Sequence, residues 1–132
     1  MLPLCKFYRY LIYRLYHFRD DTPVINVIVT LSSIHLMQLY TIKLLLWFLF
    51  SVEINLNIEG DQFLVFMFLF MGVNYLLLYN KKRWKAYDEE FKDETPEHKK
   101  KGLILVLSYL IGSIIIFFAS HIIIGLYLDS LK

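Results

Sequence analysis

Residues 80–102 read NKKRWKAYDEEFKDETPEHKKKG, and their setting decides the fold. The stretch carries eight of the fourteen Lys and Arg and six of the twelve Asp and Glu. Two intensely apolar runs flank it: FLVFMFLFMGVNYLLLY at 63–79 and LILVLSYLIGSIIIFFASHIIIGLYL at 103–128. Hydrophobic residues make up 58% of the 132-residue chain, against roughly 45–50% in soluble domains. The excess sits in blocks that a chain this short cannot hide in a soluble core, and a bilayer removes that difficulty. The sequence therefore predicts one all-α membrane domain: an interfacial amphipathic helix, then three transmembrane helices, the second extended into a helical stem.

Upstream, residues 3–19 carry Lys6, Arg9, Arg14 and Arg19 at intervals too short for an apolar span. On a helical wheel Leu4, Phe7, Tyr8, Leu11, Leu15 and Phe18 share one face, and Lys6, Arg9, Tyr10, Tyr13, Arg14 and His17 the other. That pattern suits a helix lying in the headgroup plane, with Arg9 and Arg14 reaching anionic phosphates; a helix seated on a partner protein is the alternative. Asp20, Asp21, Thr22 and Pro23 then supply a helix start.

The next segment stays apolar from 24 to about 52, with 24–50 assigned to the first span. At ~1.5 Å per residue it reaches about 43 Å, beyond the ~30 Å hydrocarbon core, so it must tilt, project or break. Lys43 is expected in the outer third, its stem snorkelling. Asn26, Thr30 and Ser33 form a polar stripe that continues through Met37, Tyr40 and Leu44, whereas His35 and Gln38 point elsewhere. Helix–helix hydrogen bonding is one reading of the stripe, and a polar path for ions is the other. His35 and Lys43 are the intramembrane ionisable groups, which are functional candidates by default.

A loop at 51–62 has three acids and no base, and the second span is assigned to 63–80, with Asn74 its one strongly polar interior group. The stem and turn occupy 81–102. Trp84, Tyr87 and Phe91 recur at helical spacing, Lys85–Glu89 and Asp88–Lys92 are i,i+4 pairs, and Thr95-Pro96-Glu97 is a stop and restart. The third span is assigned to 103–128. Ser108, Gly112 and Ala119, with Ile115, line one face as a small-residue seam for close helix approach.

Counting bases sets the topology. Four lie before the first span, eight in 80–102 and none in 51–62. Positive-inside logic puts the first two regions in the cytosol and the acidic loop and C-terminus outside, in a bacterial inner membrane. Lys81, Lys82 and Arg83, with Lys99, Lys100 and Lys101, then anchor helix ends at an anionic leaflet or dock a cytosolic protein partner.

No catalytic, cofactor or metal motif is legible, and no enzyme is expected. His17, His35, His98 and His121 are widely spaced, Cys5 is alone, and neither a phosphate loop nor a nucleophile elbow occurs. Net charge is +2 and the acids interleave with the bases, which argues against nucleic acid.

Tyr13-Arg14-Leu15-Tyr16, Asn74-Tyr75, Asn80-Lys81-Lys82-Arg83 and the acidic-then-basic run into Gly102 together resemble small multi-pass membrane proteins of AT-rich bacteria. That resemblance implies architecture only. Small helical membrane proteins also serve as anti-phage defence effectors, an analogy of class rather than of residues. The functional expectation is a self-assembling homo-oligomer, as a gated ion-conducting or membrane-disrupting assembly. The alternative is an accessory subunit of a larger transporter or membrane enzyme.

Overall fold

The computed structural model describes residues 4–19, 21–53 and 60–132. Residues 54–59, most of the expected acidic loop, lie outside the described residues, as do Asp20 and residue 3 at the start of the expected amphipathic helix. The described chain is helical, with no strand, in five helices: α1 (Lys6–Tyr16), α2 (Pro23–Phe50), α3 (Gly60–Leu78), α4 (Lys81–Phe91) and α5 (Pro96–Ser130). Of these, α2, α3 and α5 are long and apolar enough to cross a membrane.

Boundaries follow local chemistry. Pro23 occupies the first turn of α2 after Thr22, although the Thr22 side chain makes no capping bond. The helix ends at Ser51, which adopts a left-handed conformation (φ 53°) and returns its N–H to Trp47. Thr95 accepts a hydrogen bond from the His98 N–H and Pro96 opens α5, the stop and restart expected there.

The stem differs from expectation. In place of one helix running from the second span into the charged stretch, the chain breaks between Leu78 and Lys81. Asn80 turns extended and its side chain accepts from the N–H groups of Lys82 (3.1 Å) and Arg83 (3.2 Å), starting α4 afresh. The Trp84 indole donates to the Leu78 carbonyl (3.0 Å), satisfying a group freed at the end of α3.

The break folds α4 back onto α1. Leu11, Ile12 and Leu15 of α1 cluster with Val27, Ile28 and Leu31 of α2, with Trp84, Tyr87 and Phe91 of α4, and with Val106 of α5. Leu11, Val27 and Leu31 are wholly buried, so this mixed core at the charged end is the best-packed part of the molecule. Away from it the long helices run side by side with little mutual burial. Asn74 is the one buried residue of α3, and Val106 and Ile124 are those of α5.

Two helix directions follow from the contacts. Tyr8 meets His35 while Leu15 clusters with Val27, so α1 runs back along the first half of α2. Gln38 meets Ser113, and further along the Phe48 and Tyr127 rings approach to 5.5 Å, so α2 and α5 run in the same direction. Gly102 lies where α5 passes α1: a Cβ there would collide with the Tyr10 ring.

Candidate functional site

Packing α1 along α2 carries Tyr8 to the point where α2, α3 and α5 converge, and a chain of polar side chains meets there. The Tyr8 hydroxyl lies 3.0 Å from His35 Nε2 and 3.0 Å from the Tyr109 hydroxyl. Gln38 Nε2 donates to the Tyr109 hydroxyl (3.0 Å) and to Ser113 Oγ (3.3 Å). On the other side His35 Nδ1 lies 3.5 Å from Asn74 Oδ1. One helix from outside the spans and all three long helices thus contribute to a single node.

For a neutral imidazole the partners agree on one direction for the protons. Asn74 Nδ2 donates to the Phe70 carbonyl (2.8 Å), which leaves its Oδ1 to accept from His35 Nδ1–H. Nε2 of the neutral imidazole is then an acceptor and takes the Tyr8 proton. The Tyr8 oxygen in turn accepts from Tyr109, whose oxygen accepts from Gln38. Each member along this line has a partner, and a fully satisfied polar network rigidifies the packing around it. Burial, reinforced by the Tyr109 hydrogen bond, pushes the Tyr8 hydroxyl well above the ordinary phenol range, which keeps this donor protonated.

A second feature joins the short helices. Arg9 makes a two-pronged contact with Glu90 (Nε–Oε2 3.0 Å, Nη2–Oε1 2.9 Å). Arg14 forms an ion pair with Glu94, and each of these side chains is 12% exposed. The Tyr10 hydroxyl donates to Glu94 (2.9 Å) and accepts from Arg14 Nε (2.8 Å). His17 pairs with Asp88. The basic face of α1 is thereby met by Asp88 and Glu90 of α4 and by Glu94 just beyond it, and Asp88 turns to His17 rather than to Lys92, which pairs with Glu89.

The residues singled out from sequence divide among these places. His35 stands at the centre of the node. Asn26 is spent locally, donating to the Arg19 carbonyl (3.1 Å) and accepting from Thr22 Oγ1 (3.3 Å). Thr30 and Ser33 are half-buried on α2; among the described residues neither side chain has a hydrogen-bond partner. Lys43 is half-buried, lies on a different face from that stripe, and makes no ion pair among the described residues. On α5, Val106, Tyr109, Ser113 and Ile124 share the packed face; Ser108 lies off it and is exposed, and Gly112 and Ala119 lie off it half-buried. A Cβ added at Gly112 would meet nothing within 4 Å. Lys81, Lys82, Lys99 and Lys100 are exposed, Arg83 is half-buried, and Lys101 pairs with Glu97 (2.9 Å).

Sequence reasoning missed Tyr8, Gln38, Tyr109 and Ser113 as a group. Gln38 was the available signal, because a primary amide in an apolar run needs partners. The tyrosines were masked by a composition with ten of them. Among the described residues no group of three or more His, Cys, Asp or Glu gathers as a metal site. No protein-family model, curated protein or solved structure matches the chain.

Proposed function

We propose that this protein is a non-enzymatic integral membrane protein that self-assembles through α2 and α5, with the α1–α4 module coupled to the spans by the His35 node. The observation that carries this reading is that the two seams are left without partners inside the protomer. Ser108 is exposed, a Cβ at Gly112 would meet nothing within 4 Å, and Thr30 and Ser33 are half-buried with no side-chain hydrogen-bond partner among the described residues. Hydroxyls turned toward hydrocarbon gain from a partner, and small residues let a second helix come close. A second copy supplies both.

In the proposed orientation α1, α4 and the start of α5 lie in the cytosol, and the far ends of the long helices lie outside a bacterial inner membrane. The assembly is a gated ion-conducting or membrane-disrupting device, with the polar stripe of α2 toward the symmetry axis. Displacing α1 pulls Tyr8 from the node, which is how an event at the α1–α4 module would reach the spans. The exposed bases Lys81, Lys82, Lys99 and Lys100 suit an anionic leaflet or an acidic cytosolic partner.

Native mass spectrometry of the detergent-purified protein tests the reading, with Gly112→Ile as the variant. A discrete homo-oligomer of four or more that Gly112→Ile disperses supports it. A monomer that gains defined stoichiometry only beside a second protein overturns it in favour of an accessory subunit.

A further inference from the structure

A cleft of about 590 Å³ opens between α1, α4 and α5, separate from the node and from both seams. Its walls change character along α5: Lys101 belongs to the charged stretch, and Leu105 is already in the apolar run. Phe7 and Phe91 supply more apolar lining. A site of this size at such a boundary fits a small amphiphile.

The charges select among amphiphiles. Glu90 pairs with Arg9, Glu94 with Arg14, and Lys101 with Glu97, so each of these lining groups already has an ionic partner. Lys6 and Asp93, both exposed, remain without an ion-pair partner among the described residues. Lys6 and Asp93, the lining cation and carboxylate outside any ion pair among the described residues, complement a headgroup bearing both signs. A purely anionic headgroup would gain from Lys6 and be repelled by Asp93.

We propose that this cleft seats a zwitterionic aminophospholipid from the surrounding membrane, its phosphate toward Lys6, its ammonium toward Asp93, and its glycerol and acyl chain along Phe7 and Leu105. The ammonium is preferred because its N–H groups donate to a carboxylate in charge-assisted hydrogen bonds. The site is complete within one protomer, so it stands whether or not the protein self-assembles.

The test is native mass spectrometry of the full detergent-purified chain titrated with phosphatidylethanolamine and, separately, phosphatidylglycerol. The expected result is preferential retention of phosphatidylethanolamine, with about tenfold weaker retention in Asp93→Asn and in Lys6→Ala, and no change in Lys132→Ala. Both altered side chains are exposed and unpaired, so the variants fold as the parent does; thermal midpoints without lipid check this. Equal or tighter retention of phosphatidylglycerol overturns the proposal. Undiminished retention of phosphatidylethanolamine by Asp93→Asn overturns it as well.

Discussion

Removing one oxygen, by Tyr8→Phe, is the sharpest probe of the node. The ring volume is kept, so the T-shaped contacts of Tyr8 with Phe7 and Tyr109 survive. What goes is the proton given to His35 Nε2 and the acceptor for Tyr109, two hydrogen bonds of 3.0 Å each. Single hydrogen bonds contribute about 0.5–1.5 kcal/mol net, and roughly 0.6 kcal/mol in membrane proteins. The loss should therefore be about 1–2 kcal/mol, felt first by α1. An 11-residue helix is marginal alone in water, so α1 stays helical only while docked. Amide hydrogen exchange in micelles reads this directly: the amides of α1 should exchange roughly 5–30-fold faster in Tyr8→Phe. Adding His35→Leu removes the stranded acceptor, so the double variant should cost less than the two single losses combined. Unchanged α1 exchange in Tyr8→Phe, or an increase spread evenly over all five helices, would refute the claim that Tyr8 ties α1 to the spans.

Alkali should loosen α1 by the same route. The folded protein holds Tyr8 above the ordinary value of about 10, so its contribution is complete below that pH and is lost as pH rises above it. α1 exchange, corrected for its intrinsic pH dependence, should climb above pH ~10 more steeply in the parent than in Tyr8→Phe. Arg14→Met leaves the Glu94 carboxylate largely buried without its ion partner and should destabilise the α1–α4 contact by about 3 kcal/mol; Arg14→Met with Glu94→Leu should recover most of that, as chemical denaturation can show. Gly102→Ala drives a methyl into the Tyr10 ring and should loosen the Tyr10–Glu94–Arg14 contacts, whereas Gly112→Ala, with nothing within 4 Å, should leave the protomer's thermal midpoint unchanged.

How far the sequence reached varies by segment. Block hydropathy marked three long apolar segments, and the described chain has three helices long and apolar enough to cross a membrane. Thr95-Pro96 was readable because capping is a local event. The α3–α4 break was not, although Asn80 is a good capping residue, since the helical spacing of Trp84, Tyr87 and Phe91 continues without a gap in pattern. That spacing marked an apolar face but could not say that α1 covers it. Likewise the polar face of α1 and the acids of α4 were each legible as charge, and their pairing was not.

The node shows the same divide. His35 and Asn74 announced themselves as polar groups in apolar runs, while Tyr8 and Tyr109 lie 101 positions apart and are ordinary by composition. By itself, then, the sequence determined the helical class, the three apolar segments and where their charged ends lie, because hydropathy and capping act over a few turns. Only the tertiary structure decided that α4 folds back onto α1, that His35 meets Tyr8 and Asn74, and that space stays open beside Gly112. Those outcomes depend on how helices rotate about their own axes when they pack, and that rotation is set by side chains distant along the chain rather than by any local pattern.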